Sequence, residues 1–364
     1  MSRKILIVGN NSNGMYLFRG MLISELVRRG NEVVVLIPFD LNVDDLRALG
    51  ARVVETPIDR RGMNPLKDFS LIRLYNRLLN AEKPDVVMTF TIKPNVYCGY
   101  LCGKKHIRQL ANITGLGTSI QNKGFIKNFI LFLYRKGLKK SETIFFQNQK
   151  NLDVMRGYGV VNNNTVLLPG SGVDLSKHPF ETYPMDDDKL IFLIIGRIMK
   201  DKGTDEILEA ASIIKKQYPN VVFRFIGEYD GDYQERIDAA VRKGYVEYLD
   251  NQDDIHPFIK NSHATIHASY HEGMSNVLQE TAAAGRPVIA SNIPGCKETY
   301  EPYVSGIPFE PKNSDDLVRA IREFIALPYS EKVKMGIAGR KRMEAKFDRK
   351  IVVNQYIEKI EKED

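Results

Sequence analysis

Short apolar runs alternate with longer stretches of helical apolar spacing along most of this 364-residue chain. Apolar runs without polar alternation are typical of strands buried on both faces, and such strands occur in parallel sheets covered by helices. The alternation therefore predicts an α/β fold. The predicted strands are residues 4–8, 32–37, 52–57, 85–90, 107–113 and 143–147 in the first half, and residues 189–195, 221–226, 245–249, 264–268, 287–291 and 306–309 in the second.

The alternation stops between residues 169 and 188 and then begins again. This segment is rich in Pro, Gly and Asp and lacks apolar periodicity, which is typical of a linker, and the chain is long enough for two cores. We therefore expect a first domain over residues 1–175, a second over residues 176–345, and a terminal helix over residues 346–364 that packs back on the first domain. Parallel sheets bind ligands at the carboxyl ends of their strands, so two Rossmann-like domains would face a shared cleft.

Charge is unevenly distributed along the chain. The net charge is +7, but residues 1–175 carry +12 and the remainder carries −5. Residues 86–141 contain ten Lys or Arg and no Asp or Glu, which indicates an anionic lipid surface, a lipid-linked diphosphate or nucleic acid as partner. Nucleic acid is disfavoured, because the basic residues do not alternate with aromatic ones and accompany no nucleic-acid-binding motif. A solvated basic face without a partner is the alternative.

The sequence has no feature that predicts export or membrane insertion. No basic and apolar leader opens the chain, and no apolar run approaches the roughly 20 residues that span a bilayer. Cys98 and Cys102 lie four residues apart, which suits neighbours on a helix better than a zinc-binding pair. We expect a protein of the reducing cytosol that is soluble or peripheral to a membrane.

Residues 267–291 carry the strongest chemical signal. They predict a strand, a loop, a helix and a second strand, with Glu272 in the loop and residues 273–277 at the helix start. The free N–H groups and the dipole of a helix start attract a diphosphate. Glu280 would lie two turns along this helix, within reach of a ribose, while Glu272 reaches sugar hydroxyls. Two glutamates eight residues apart also occur on ordinary helix surfaces, so the spacing alone does not decide the function.

A second candidate site follows the strand over residues 189–195. Gly196 ends this strand, and Arg197 and Lys202 precede the next helix. Two cations here would neutralise the charge that develops on a departing nucleotide diphosphate, which stabilises a transition state without a metal. Ordinary surface cations are the alternative. In the first half, the polar loop over residues 8–15 favours an anion site but matches neither the dinucleotide-binding nor the P-loop pattern.

These motifs resemble those of the E-x7-E retaining glycosyltransferases of family four, which have the two-domain GT-B fold. The resemblance rests on Arg197 with Lys202, on Glu272 with Glu280, and on residues 285–289, and it covers nearly the whole chain. It implies that Arg197, Lys202 and Glu272 are catalytic. It also implies a donor site for a UDP-sugar, formed by Gly14, Gly196, Arg197, Lys202, Glu272, Gly273, Met274, Ser275, Asn276, Val277 and Glu280.

Residues 112–117, 145–148 and 168–173 are similar to the bacterial members that build capsular polysaccharide, exopolysaccharide or N-glycan precursors. The resemblance implies retaining transfer of N-acetylgalactosamine or a related hexose from a UDP-sugar to an undecaprenyl-diphosphate-linked saccharide. No metal and no other cofactor are expected. The expected location is cytoplasmic, at the inner face of the cell membrane, with the basic first domain on anionic lipid. The expected acceptor-binding residues are Asn13, Arg19, Arg60, Lys93 and Thr114.

One segment departs from the family pattern. Many members carry a first-domain histidine near the donor sugar, where this chain has Thr-Gly-Leu-Gly at residues 114–117. His271 precedes Glu272 without forming the H-E-x-x-H pattern of a zinc site, and a single histidine beside a loop is more often structural. Two other classes stay open: a nucleotide-sugar epimerase or hydrolase of the same architecture, and a non-catalytic protein that binds nucleotide sugars.

Overall fold

The computed structural model describes residues 2–59, 62, 64–116, 124–161, 163–185 and 189–362. The chain divides into two compact units, of which the first consists of Met1–Ser171 with Ile351–Asp364 and the second of Gly172–Lys350. The chain thus enters the second unit at Gly172 rather than at residue 176, and it leaves after Lys350 rather than after residue 345. Each unit has its own hydrophobic core.

The expected linker over residues 169–188 is wrong in its second part, because residues 172–185 belong to the second unit. Val173 N donates to Phe347 O at 2.8 Å, and the buried Tyr183 donates from Oη to His263 O at 2.8 Å. Turn-forming residues predict an irregular backbone, but they do not predict whether the side chains between them are buried. Val173 and Tyr183 therefore anchor a segment that its composition assigned to a linker.

Each unit contains one sheet of parallel strands, which confirms the predicted α/β architecture. The strands are β1 Lys4–Val8, β2 Glu32–Ile37, β3 Arg52–Glu55, β4 Val86–Phe90, β5 Arg108–Ile113, β6 Thr143–Phe146, β7 Thr165–Leu167, β8 Leu190–Ile195, β9 Val221–Ile226, β10 Glu247–Tyr248, β11 Ala264–His267, β12 Val288–Ser291 and β13 Gly306–Phe309. Strand β7 was not predicted, because it is a three-residue edge strand that is only partly buried.

Most helices lie between consecutive strands, the C-terminal ones follow β13, and several begin at a side-chain cap. The helices are α1 Ser12–Arg28, α2 Val43–Ala48, α3 Pro65–Glu82, α4 Gly99–Lys105, α5 Phe125–Leu138, α6 Gln149–Gly157, α7 Thr204–Gln217, α8 Gln234–Arg242, α9 His256–Lys260, α10 Asn276–Ala283, α11 Ser314–Ala326, α12 Tyr329–Arg342 and α13 Arg349–Glu361. At α3, Asn64 Oδ1 accepts from Leu66 N at 3.0 Å and Pro65 opens the helix. Among the described residues, no helix combines the length and the apolarity needed to cross a membrane.

The last helix, α13, packs into the core of the first unit. Its residues Val352, Val353, Tyr356, Ile357 and Ile360 share one buried cluster with β1, β2, β4 and α1. Tyr356 Oη donates to Asn112 Oδ1 at 2.6 Å, and Arg108 Nη2 donates to Lys359 O at 2.9 Å near the helix end. Apolar burial and capping of the last carbonyls together hold α13 on this unit.

The strand order places a topological switch point in each sheet. The first sheet runs β3-β2-β1-β4-β5-β6-β7, and the second runs β10-β9-β8-β11-β12-β13. The order reverses between β1 and β4 in the first sheet and between β8 and β11 in the second. Loops at the carboxyl ends of these two strand pairs diverge and leave room for a ligand. The fold therefore predicts one ligand site per unit at these positions.

A buried polar network lies under the carboxyl ends of β4 and β5. Thr89 Oγ1 donates to Asn95 Oδ1 at 2.6 Å, and Asn95 Nδ2 donates to Asn112 O at 2.8 Å. Gln109 Nε2 donates to Thr89 Oγ1 at 3.0 Å, so all four side chains are paired although they are nearly inaccessible. Satisfied buried networks rigidify their surroundings. This one fixes the junction between β4 and the π-helical turn Pro94–Cys98.

Thr91 occupies the left-handed backbone region at this junction, with φ of +72°. A β-branched residue is strained there, at about 1–3 kcal/mol. Its Oγ1 is buried and has no hydrogen-bond partner among the described residues. Strained residues persist where their surroundings over-determine them, and the network of Thr89, Asn95 and Gln109 does so here.

Replacement of Thr91 by Gly is expected to stabilise the protein. Glycine adopts this φ without strain and removes the unpaired hydroxyl, at an entropic cost of roughly 0.5–1 kcal/mol. The expected gain in free energy of unfolding is about 1 kcal/mol, measured by urea denaturation. Thr91→Ala keeps a Cβ at the same φ and should gain less. A less stable glycine variant would show that Thr91 is not strained.

Candidate functional site

Two loops meet at the switch point of the second sheet. Strand β11 pairs with β8, so the segment after β8 and the segment after β11 leave the sheet side by side. Tyr270 N donates to Asp201 O at 2.9 Å, which joins the two loops. Gly203 has φ of +69°, and a Cβ there would lie 2.3 Å from Ala268 O. Only glycine permits this approach of the two backbones.

The loops bring Lys202, His267 and Glu272 together. Lys202 Nζ lies 2.5 Å from Glu272 Oε1, and His267 Nε2 lies 3.1 Å from the same oxygen. The Glu272 side chain is only 15% exposed. Burial alone would raise the pKa of Glu272, but the hydrogen bond with His267 and the charge of Lys202 lower it well below the usual range. Glu272 is therefore a buried carboxylate that stays ionised.

Arg197 lies at the rim of the same site. It follows Gly196 at the end of β8, its side chain is half exposed, and its Nη1 pairs with Asp230 Oδ2. The two predicted cations thus differ in surroundings: Lys202 is ion-paired inside the site, whereas Arg197 is ion-paired at its edge. Gly196 has φ of +140°, and the direction of its missing Cβ is open space.

A small, open pocket lies at this switch point. Its polar lining comes from the two loops and its floor from apolar side chains of β8, β9, β11 and α7. The lining residues are Ile194, Ile195, Gly196, Arg197, Ile198, Lys202, Thr204, Ile207, Phe225, Ile266, His267, Ala268 and Ser269. A pocket with a few polar groups on an apolar floor is typical of small-molecule sites.

Helix α10 begins later than the sequence predicted. Ser275 is its N-cap and accepts from Leu278 N at 3.3 Å, so Gly273 and Met274 lie in the loop. Met274 is buried in an apolar cluster and does not belong to the first turn of the helix. Because Ser275 has extended backbone and a capping hydroxyl, the helix cannot begin before Asn276. The predicted anion site therefore shortens to the N–H groups of Asn276 and Val277.

Gly295 supports the loop from behind and was not predicted as a site residue. It has φ of +87°, and a Cβ there would lie 2.8 Å from the carbonyl oxygens of both Glu272 and Gly273. Gly295 O also accepts from Ser275 N at 2.8 Å. The Pro294-Gly295 dipeptide is a turn signal that could have indicated this close approach.

Glu280 lies in the second turn of α10, so its eight-residue distance from Glu272 is not helical spacing. Burial raises the pKa of Glu280 to about 7, and the charge of Arg349 offsets only part of this shift. His178 Nε2 is 3.9 Å from Glu280 Oε1, and burial lowers the pKa of His178 to about 4. The two glutamates of the motif thus have opposite electrostatics.

The expected acceptor residues lie in different surroundings in the first unit. Asn13 is in the first turn of α1, and Thr114 directly follows β5, so both lie at carboxyl ends of strands. Lys93 is ion-paired with Asp68 at 2.7 Å. Arg19 is buried, with its guanidinium 4.8 Å from the centre of the Phe90 ring. Arg60 lies outside the described residues.

Two further expectations concern Gly14 and metal binding. Gly14 is the third residue of α1, and its N–H donates to the capping Asn11 side chain. The expected place of Gly14 in the donor site stays a prediction. In the part of the chain that the structure describes, no group of three or more His, Cys, Asp or Glu side chains is arranged to hold a metal ion.

His267 was not singled out by the sequence, although it lies among the site residues. It is the last residue of β11 and is buried. The available signal was its position: ligand-contacting side chains collect at the carboxyl ends of parallel strands. An ionisable residue at the end of a buried strand that leads into the loop of Glu272 could have been predicted as a site residue on this ground.

Comparison with known proteins identifies the class. Residues 4–148 match the sequence model of the family described as Glycosyl transferase 4-like, and residues 178–342 match that of Glycosyl transferases group 1. The two models together span most of the chain. The chain belongs to the glycosyltransferases that combine these two domains, which confirms the resemblance of its motifs.

Several relatives are similar over nearly their full length. One is the N,N'-diacetylbacillosaminyl-diphospho-undecaprenol alpha-1,3-N-acetylgalactosaminyltransferase of Campylobacter jejuni, at 27% identity over 94% of both chains. Another is the capsular polysaccharide biosynthesis glycosyltransferase CapM of Staphylococcus aureus, at 25% identity over 96% of this chain and 95% of the relative. Among solved structures, Anabaena HepE in complex with UDP and glucose has a TM-score of 0.80 at 17% identity, over 98% of this chain and 99% of that one. This structural likeness confirms the GT-B fold.

Glu272→Gln and Glu280→Gln should change stability in opposite directions. The raised pKa of Glu280 means that its ionisation destabilises the folded state as pH rises from about 4.5 through 7, by roughly 3 kcal/mol. Glu280→Gln should therefore melt above wild type at pH 8 and near it at pH 5. The lowered pKa of Glu272 means that its ionised form stabilises the protein above about pH 4.5.

Glu272→Gln should accordingly destabilise the protein at pH 8, by about 2 kcal/mol, since Lys202 loses its charged partner. Thermal unfolding of both variants between pH 5 and pH 8 measures the two effects. The interpretation is contradicted if both variants shift in the same direction at pH 8.

Proposed function

We propose that this enzyme transfers N-acetylgalactosamine or a related hexose from a UDP-sugar to an undecaprenyl-diphosphate-linked saccharide, with retention of anomeric configuration. The observation that carries the donor side is the cluster of Lys202, His267 and Glu272 beside the cavity at the β8–β11 switch point. The acceptor is proposed from the Campylobacter jejuni relative, whose name specifies a lipid-linked acceptor. The product would enter cell-surface polysaccharide or glycan biosynthesis.

The residues of the second unit divide the chemistry among them. Lys202 and Arg197 stabilise the negative charge of the departing diphosphate, together with the N–H groups at the start of α10. Glu272 accepts hydrogen bonds from hydroxyls of the donor sugar, and Glu280 accepts them from the ribose hydroxyls. Binding to Glu280 favours its ionised form, so nucleotide binding should release a proton near pH 7.

Retention follows if the acceptor hydroxyl attacks from the face that the nucleotide leaves. The bond from the anomeric carbon to the diphosphate oxygen then breaks as the bond to the acceptor oxygen forms. The acceptor proton passes to the departing diphosphate, so no protein nucleophile is needed. The enzyme supplies positioning and charge stabilisation.

The basic first unit provides a surface that contacts anionic lipid at the inner face of the cell membrane. On α5, Ile126, Phe129 and Phe132 are 51%, 45% and 49% exposed and recur at a spacing of three residues. Arg135 and Lys136 lie beside them in the last turn. An exposed apolar stripe flanked by cations is typical of a helix that lies on a lipid surface.

Part of the remaining positive charge of residues 86–141 is neutralised within the first unit. Lys93 pairs with Asp68, and Arg108 pairs with Glu142, both carboxylates from outside that segment. Lys127 lies over the Tyr158 ring. The proposed membrane contact is therefore the α5 stripe rather than the whole basic segment.

Lys202→Ala is expected to reduce transfer by about 10²–10³-fold, the cost of removing one group that stabilises transition-state charge. The measurement is release of UDP from a panel of UDP-sugars with a lipid-linked saccharide. Lys200→Ala is the matched control, because Lys200 lies in the same 3-10 turn but is exposed. Near-normal transfer by Lys202→Ala contradicts its role. Equal turnover of the donor with and without acceptor would instead indicate an epimerase or hydrolase, and binding without turnover a non-catalytic protein.

Flotation with liposomes tests the α5 stripe. Wild-type protein should float with vesicles rich in phosphatidylglycerol at low salt and stay at the bottom with phosphatidylcholine vesicles. A variant with Ile126, Phe129 and Phe132 changed to Ser should lose flotation. Changing the exposed Met185 and Val304 of the second unit to Ser should have no effect. Unchanged flotation of the α5 variant argues against the proposed surface.

A further inference from the structure

His267 ends the strand β11 with its side chain only 6% exposed. Three oxygens surround its Nε2: Glu272 Oε1 at 3.1 Å, Ser269 Oγ at 3.2 Å and Ser275 Oγ at 3.2 Å. All three belong to the loop that follows β11 or to the cap of α10. The imidazole is therefore the point to which the loop around Glu272 is tied.

The chemistry of Glu272 fixes the hydrogen on this ring. An ionised carboxylate only accepts hydrogen bonds, and Glu272 is held ionised beside Lys202. Nε2 must therefore carry the proton and donate it to Oε1. Ser275 Oγ already accepts from Leu278 N, so it accepts from the ring at most weakly. The bond from His267 to Glu272 is the charge-assisted contact among the three, and such bonds are the stronger ones.

We propose that His267 is a positioning residue for recognition of the donor sugar. It holds Oε1 of Glu272 against Lys202, and it thereby fixes the orientation in which the carboxylate meets the sugar hydroxyls. This role rests on the proposed function, since it assumes that Glu272 contacts the sugar. It also accounts for an ionisable side chain at the end of a fully buried strand that lines the pocket.

A purely structural histidine would behave differently. His263, just before β11, is equally buried, and its ring contacts Ile191 N at 3.0 Å and Met185 O at 3.2 Å, outside the donor site. Loss of such a ring lowers stability without regard to ligand. Loss of His267 should instead discriminate between ligands with and without a sugar, because Glu272 meets the sugar and other groups meet the nucleotide.

The experiment compares His267→Leu, His267→Gln and the control His263→Gln in the full-length protein. Leucine fills the space without a donor, whereas the glutamine amide can replace the Nε2–H. Binding of UDP and of UDP-N-acetylgalactosamine is measured by calorimetry, and transfer by UDP release. His267→Leu should lower both the affinity for the UDP-sugar and kcat/KM by about 10- to 100-fold, which is the factor for one lost hydrogen bond to a charged group. The affinity for UDP should be unchanged.

His267→Gln should recover most of that loss, and His263→Gln should show neither effect. The proposal is overturned if His267→Leu binds and turns over the UDP-sugar as wild type does. It is also overturned if the folded His267→Leu variant loses affinity for UDP and for the UDP-sugar equally, or if His267→Gln shows the same losses as His267→Leu. A wild-type protein that binds neither UDP nor UDP-sugar overturns the proposed function, and the role of His267 with it. Wild-type binding without transfer contradicts only the transfer step, because the binding comparison still tests His267.

Discussion

The proposed donor site depends on one carboxylate oxygen, Oε1 of Glu272, which contacts both Lys202 Nζ and His267 Nε2. An unpaired buried carboxylate would take up a proton, because burial disfavours its charge. Two donors on one oxygen reverse this effect and keep Glu272 ionised. The arrangement is possible only because β8 and β11 are neighbours, so that the loops carrying Lys202 and Glu272 begin side by side.

Glu280 shows what the same side chain does without such partners. It belongs to the same motif and is also mostly buried, yet the charge of Arg349 offsets its burial only in part, so its pKa rises to about 7. A hydroxyl ligand binds best to the ionised form, so the free energy of binding must include the cost of ionising Glu280. Two glutamates eight residues apart are thus suited to different tasks, one to stay charged and one to become charged on binding.

The sequence predicted what depends on composition and periodicity. Apolar runs predict the strands, the parallel sheets and the strand ends where ligands bind. The length of the chain predicts two cores. The prediction from sequence placed the start of α10 too early. A capping serine determines this start, and glycine content alone does not reveal it. The prediction also missed His267, whose importance lies in contacts to Glu272 and Ser275 that arise only when the loop folds back on the strand.

The same limit applies to charge. Ten basic residues without an acid in residues 86–141 predicted a broadly positive surface, but ion pairs form between residues that are close in space rather than in sequence. Asp68 and Glu142 lie outside the segment and neutralise Lys93 and Arg108. Helix α5 differs from the rest of the segment because exposed apolar residues accompany its basic ones, and this is a more specific surface than charge alone indicated.

Much of the site geometry is set by residues that have no chemistry of their own. Gly203 lets the segment of Lys202 touch the backbone of Ala268, and Gly295 lets its own segment touch the carbonyls of Glu272 and Gly273. A side chain at Gly203 would push apart the two loops that hold the ion pair, and one at Gly295 would push its own segment against the loop that carries Glu272. Because a charge-assisted hydrogen bond weakens steeply with distance and misalignment, such a displacement would raise the pKa of Glu272 without altering any charged residue. The electrostatics of the proposed donor site therefore depend on backbone approach as much as on the identity of Lys202, His267 and Glu272.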